Sequence, residues 1–175
     1  MIAAVVLAAG AGTRFGGPKQ QLIVPGVLER LEQSPVDEIV VVAGAHELAC
    51  LSACVVPCPD WERGPGASLR CGLAALPPEA EAAVVVLGDG PNLAPEAVAR
   101  VVRAWRDGRG DVVAASYGGN RGHPLLLARA AWEAIPDEGM RALPVVLVPC
   151  DDLGTPGDVD TADDIGRLHP PLNGN

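Results

Sequence analysis

The chain has 175 residues, 49% of them hydrophobic but only 3% aromatic, and a formal net charge of −9. That length bounds it to one domain with a substantial core, built from Ala, Val and Leu rather than from rings. The acidic balance excludes nucleic acid and an anionic membrane surface as partners, and no apolar run approaches a membrane span. The N-terminus has no basic region before its first apolar stretch, so it carries no signal-peptide pattern and the expected compartment is the cytoplasm.

The opening MIAAVVLAAGAGTRFGGPK predicts a buried strand over Ile2 to Leu7, followed by a loop with Gly10, Gly12, Gly16 and Gly17. Glycines let backbone N–H groups approach an oxyanion closely, and Arg14 and Lys19 add the fixed positive charge that a polyphosphate needs. A tight turn has no use for those two cations. The loop is not a P-loop, because Pro18 follows the GxxxxG spacing and Gln20 follows Lys19 where a Mg²⁺-binding Ser or Thr would stand. It is also a poor dinucleotide fingerprint, since the next strand ends in Gly44-Ala45-His46 rather than an acidic residue.

Further along, apolar spacing predicts a short helix over Val27 to Gln33, ended by Ser34-Pro35, and a strand over Glu38 to Ala43. A helix over Ala45 to Ala53 and a short strand over Cys54 to Val56 follow. A loop from Asp60 to Gly66 leads into a helix over Ser68 to Leu76, then a buried strand over Ala83 to Leu87. Pro95 opens the clearest helix, with Val98, Val101, Val102 and Trp105 on one face and Gly108 beyond its end. Strands over Val112 to Ser116, Leu125 to Leu127 and Val145 to Val148 complete the set. Alternating strands and helices imply an α/β fold of three layers, a mostly parallel sheet with helices on both faces. One domain is expected over residues 1–169, with 170–175 a frayed tail.

Ligands of such a sheet bind beyond the carboxyl ends of its strands. Asp89 stands there, just past Leu87, and is suited either to Mg²⁺ or to making the Gly-Asp-Gly-Pro turn; the glycine loop alongside favours the metal. In DVDTADD, Asp158 and Asp160 share a face of an extended segment, while Thr161, Asp163 and Asp164 suit a helix start. His123, between Gly122 and Pro124, is expected in a turn with its ring outward, able to hydrogen-bond a substrate although a lone loop histidine is more often structural, with Arg121 beside it to meet a phosphate. His46, Cys50, Cys54 and Cys58 recur every four residues, but the spacing matches no zinc pattern and the cysteines read as small buried hydrophobes in a reduced compartment.

LAAGAGTRFGGPKQ resembles the signature of the MobA/MocA-type nucleotidyltransferases. GASLRCGL (66–73), LGDGP (87–91), GHP (122–124) and DVDTADDI (158–165) agree in the expected order, so the resemblance covers essentially the whole chain. The "AAG" and "GPK" spellings are similar to the cytidylyltransferase branch. The resemblance implies a Rossmann-like nucleotidyltransferase fold and transfer of CMP from CTP to the molybdenum cofactor, with release of pyrophosphate. GTP as donor, a sugar or polyol phosphate as acceptor, and an inactive nucleotide-binding module are the alternatives. It further implies Mg²⁺ on Asp89 and Asp160, with Arg14, Lys19 and Asp89 catalytic. Leu7, Ala8, Ala9, Gly10 and Gly12 would meet the nucleotide with Arg14 and Lys19, joined by Ser68 and Arg70, and Arg121 and His123 would meet the acceptor. For Arg70 a solvated helix charge is the competing reading. A molybdoenzyme or its chaperone is the implied protein partner. Two departures stand out: Gly90 replaces the family's usual Gln, and LIVPG (22–26) is shorter than the usual link to the first helix.

Overall fold

A computed structural model of the chain describes residues 1–12, 19–49 and 52–157. Among these residues seven strands form one sheet: β1 (Ile2–Ala8), β2 (Glu38–Ala43), β3 (Cys54–Pro57), β4 (Ala82–Leu87), β5 (Val112–Tyr117), β6 (Asn120–Ala128) and β7 (Val146–Pro149). Their order is β3-β2-β1-β4-β6-β5-β7. All pairings are parallel except those of β6, which runs antiparallel to both β4 and β5. Among the described residues three α-helices pack on the sheet: α1 (Gln20–Glu32), α2 (Pro65–Ala74) and α3 (Pro95–Arg106).

Alternation along the central strands separates the two faces. Ala4 and Val6 of β1, with Val84 and Val86 of β4, meet Val24, Val27 and Leu31 of α1 and Val98, Val101 and Val102 of α3. Ala3 and Val5, with Ala83 and Val85, meet Leu69 and Leu73 of α2 on the other side. Side chains this small let the helices sit close, and Val5, Val6, Val84 and Leu31 are almost completely excluded from solvent.

The helix expected from Val27 begins seven residues earlier, at Gln20, and carries Pro25 inside it. Ile23 and Val24 extend the buried stripe of Val27, Leu28 and Leu31 upstream, and burying that stripe outweighs the local penalty of proline and glycine. LIVPG is therefore part of α1. The helix expected over Ala45 to Ala53 is absent from residues 45–49 and 52–53. The backbone there turns toward β1 instead, where Ala45 N–H donates to the Ala9 carbonyl. The stretch around His123 is not an outward turn but part of β6, paired with β5 and preceding a cis Pro124.

The cysteines also differ from expectation. Cys58 and Cys71 form a disulfide that ties the segment after β3 to α2, while Cys54 is exposed and Cys150 buried as free thiols. Cys50 lies outside the described residues. No described helix is long and apolar enough to cross a membrane.

Candidate active site

Parallel β1 and β4 end side by side, with Leu7 paired to Leu87, so the segments that follow both strands emerge at one edge of the sheet. There Lys19 Nζ donates to Asp89 Oδ2 at 3.0 Å. Lys19 caps the start of α1, where the helix dipole disfavours a cation. Its side chain is nonetheless 8% exposed and Asp89's 29%, so each charge holds the other in a partly dry site. Asp89 sits in a turn closed by Gly90 N–H donating to the Leu87 carbonyl. A hard cation takes carboxylate oxygens of this kind, so Asp89 fits a divalent metal such as Mg²⁺.

The first loop leaves β1 at Ala9 and is braced by its neighbours. Ala45 N–H, Gln20 Nε2 and His46 Nε2 stand 3.1, 2.7 and 2.8 Å from the carbonyl oxygens of Ala9, Gly10 and Ala11 respectively. Gly44 makes this approach possible, because a Cβ there would lie 2.5 Å from the Ala9 oxygen. Ala8 and Ala9 are buried and Gly10 is exposed. Arg14 lies outside the described residues, as do Asp158, Asp160, Thr161, Asp163 and Asp164. The segment leading toward them passes the Asp89 turn: the Asn92 N–H donates to the Pro156 carbonyl at 2.8 Å. A Cβ on Gly90 would lie 3.6 Å from the Gly157 oxygen. Asp152 holds this segment to α3 through Arg100, at 2.7 Å.

Ser68 is buried on α2. Arg70, two residues on, is not a solvated charge: it donates to the Asp137 carboxylate and, at 2.7 Å, to the Ile135 carbonyl. Arg63 grips the same carboxylate at 2.9 Å. Arg70, and then Arg63, hold the Asp137 carboxyl below its ordinary range. The loop carrying Asp137 also accepts the Gly66 N–H at 2.9 Å, so these arginines fasten the start of α2. Among the described residues Arg70 thus has partners in Ile135 and Asp137.

Arg121 and His123 stand together on β6. Arg121 Nη1 donates to the Met140 carbonyl at 2.8 Å, and loss of solvation lowers its pKa. Burial, helped by the Arg121 guanidinium and opposed by Asp89, pushes His123 down to about 4, so its ring is neutral at pH 7. The Tyr117 hydroxyl, its pKa pushed up to about 12 chiefly by burial, donates to the His123 carbonyl at 2.9 Å. Two cavities of about 390 and 380 Å³ share Leu87, Arg121, Gly122 and His123 as lining. Gly90 and Pro156 border the first, and Leu7, Leu69 and Met140 the second. A cationic guanidinium and a neutral imidazole between apolar walls suit a small anionic molecule with an apolar body.

The edge thus combines a glycine loop, a lysine–carboxylate pair and an anion-sized cavity, the parts of a phosphoryl-handling enzyme. The profile of the MobA-like NTP transferase domain matches residues 4–143, and the chain belongs to that family. The solved Rv0371c protein of Mycobacterium tuberculosis H37Rv is 31% identical, with a TM-score of 0.80 over 95% of this chain and 96% of its own. A manganese complex described for Rv0371C of the same organism superposes with a TM-score of 0.71 at 28% identity, over 95% of this chain and 97% of that one. The 4-diphosphocytidyl-2C-methyl-D-erythritol synthase of Anaerococcus prevotii DSM 20548 shares the fold, at 18% identity and a TM-score of 0.67, over 94% of this chain and 92% of its own. No curated protein matches the sequence.

Gln20 and His46 were not among the expected site residues. Their signals were present: Gln20 follows Lys19 directly, and His46 lies just past the carboxyl end of β2.

Proposed function

We propose that the chain transfers a nucleotidyl group from a nucleoside triphosphate, CTP in preference to GTP, to a phosphate-bearing acceptor, the molybdenum cofactor. The observation that carries this reading is the Lys19–Asp89 pair, 3.0 Å apart beside the glycine loop at the carboxyl edge of β1 and β4. On this reading a triphosphate-binding cation and a metal-binding carboxylate stand within one ligand's reach. The manganese complex of the 28%-identical Rv0371C protein supports a divalent metal.

The backbone at Leu7, Ala8 and Ala9 receives the base, and Ser68 lies on the helix facing the nucleotide. The N–H groups of Gly10 and Gly12, with Arg14 and Lys19, hold the β- and γ-phosphates. Arg121 orients the acceptor's phosphate by charge and His123 by hydrogen bonding. An acceptor phosphate oxygen forms a bond to the α-phosphorus as the bond from that phosphorus to the α,β-bridging oxygen breaks. The electron pair leaves with pyrophosphate, whose charge Lys19 and Arg14 neutralise. Mg²⁺ held by Asp89, with Asp160 as second ligand, would offset phosphate charge in the same step. Rate acceleration is then positioning and electrostatics, with no covalent enzyme intermediate.

The cytoplasm is the proposed compartment and a molybdoenzyme or its chaperone the proposed recipient; the Cys58–Cys71 bond is the observation that stands against a fully reduced chain. The test is pyrophosphate release from each of CTP, GTP, ATP and UTP with molybdopterin, molybdenum cofactor or a polyol phosphate. Release with CTP and the molybdenum cofactor supports the reading, release with a polyol phosphate alone replaces the acceptor, and no release with any pair contradicts catalysis.

A further inference from the structure

Three consecutive carbonyls of the first loop are each held from outside it: Ala9 by a backbone N–H, Gly10 by Gln20 and Ala11 by His46. In a trans peptide the carbonyl of one residue and the N–H of the next point in opposite directions. Fixing the carbonyls of residues 9, 10 and 11 therefore fixes the N–H vectors of Gly10, Ala11 and Gly12. Those of Gly10 and Gly12 face away from the 44–46 segment, and that of Ala11 away from Gln20. Among the described residues none of the three N–H groups donates to another backbone carbonyl.

We propose that His46 and Gln20 are positioning residues, which aim the N–H groups of Gly12 and Ala11 at the triphosphate by holding the carbonyls of Ala11 and Gly10. This rests on the nucleotide reading above and extends it. The Ala11 oxygen can only accept, so His46 Nε2 carries the proton in this contact. Gln20 supplies a second observation. Its side chain is buried at the start of α1, and among the described residues its Oε1 has no hydrogen-bond partner. A leucine of similar volume would avoid that cost and pack as well, but it would leave the Gly10 carbonyl unheld. The Gln20 amide is therefore spent on loop geometry rather than on the core. Oriented N–H groups form an anion-binding nest whose strength depends on their aim, so a loop of the same sequence without these braces binds phosphate more weakly.

The experiment compares His46→Ala, His46→Gln and Gln20→Leu with the unmodified protein, using calorimetric titration with CTP and Mg²⁺, NMR titration with cytidine, and thermal melts. Loss of the brace weakens CTP binding about tenfold or more in His46→Ala and Gln20→Leu, with cytidine affinity unchanged within twofold. His46→Gln, whose amide N–H can reach the same oxygen, restores CTP affinity to within about threefold of the unmodified protein. CTP affinity unchanged in both His46→Ala and Gln20→Leu overturns the proposal, as does an equal loss for CTP and cytidine. Should His46→Ala not fold, Gln20→Leu decides alone. An unmodified protein that binds no nucleoside triphosphate overturns the nucleotide reading itself, and this proposal with it.

Discussion

The ammonium of Lys19 and the carboxylate of Asp89, 70 residues apart in sequence, meet at 3.0 Å where β1 and β4 run out of the sheet. On the proposed reading each takes a different partner when substrate binds: phosphate oxygens for Lys19, a divalent cation for Asp89. Asp89→Asn keeps the shape and removes the charge. Turnover should fall about a hundred- to a thousandfold while the melt remains cooperative, read by pyrophosphate release and by calorimetry. Near-normal turnover would remove Asp89 from the metal site.

Lys19→Ala should weaken CTP binding and slow the chemical step together, since on the proposed mechanism it removes the cation that faces both the bound and the leaving phosphates. Arg14→Lys should also be costly, because a point charge does not reproduce a guanidinium fork. Isothermal titration of CTP into both variants measures the first effect, and unchanged affinity in both would reduce the loop to a turn.

Two glycines give opposite outcomes on substitution. A Cβ on Gly66 would fall 1.8 Å from the Pro136 carbonyl oxygen, so Gly66→Ala must push the 135–139 loop off α2. Gly26, inside α1, has nothing within 4 Å of such an atom. Denaturant unfolding should show Gly66→Ala destabilised by about 1–3 kcal/mol, as overpacking does, and Gly26→Ala stabilised by about 0.5–1 kcal/mol from better helix propensity.

His123 sets a pH dependence. Its folded pKa, about 4, lies below the ordinary value of 6.5, so the unfolded chain takes up the proton first. The stability it contributes is complete above pH 6.5 and is lost as pH falls toward 4, by roughly 3 kcal/mol if the full difference is expressed. His123→Gln should flatten that part of the stability profile. An unchanged slope between pH 6.5 and 4 in the variant would place the titrating group elsewhere.

Much of the fold was legible because the strongest patterns were also the simplest. The run Ile2 to Leu7 reads as a doubly buried strand, and the spacing of Val98, Val101, Val102 and Trp105 as a helix. The errors came where tertiary contacts overrode local preference. Pro25 and Gly26 argued against a helix that the Ile23–Leu31 stripe nonetheless builds. Residues 45–49 have helical composition, yet the Ala45 N–H donates to Ala9, the His46 ring to Ala11, and the Glu47 carbonyl accepts from Gln21. Gly122 and Pro124 suggested a turn around His123, but β6 runs through them between β4 and β5. The placement of Lys19 and Asp89 at the carboxyl edge of the sheet was visible from residue type and position alone. Arg70 was not, because its partner Asp137 lies 67 residues away on a loop that no periodicity marks. The Cys58–Cys71 pairing was hidden because nothing in the cysteine spacing marks which two meet.

That disulfide closes a short loop, which should contribute about 3 kcal/mol by restricting the unfolded chain. Non-reducing digestion followed by mass spectrometry should yield one linked peptide containing Cys58 and Cys71. Reduction should lower the melting temperature by several degrees, and an unaltered melt would show that the bond adds nothing to stability.

The most direct test of nucleotidyl transfer is a competition between CTP and GTP for the enzyme with Mg²⁺ and molybdenum cofactor, following pyrophosphate and the labelled product. A base with the wrong donor–acceptor pattern leaves buried polar groups unpaired, at roughly 1–3 kcal/mol each. The expected result is pyrophosphate release that requires both substrates, with CTP favoured at least about tenfold in kcat/KM. A preference for GTP would reassign the base and leave the mechanism in place; no release from either nucleotide would contradict the account.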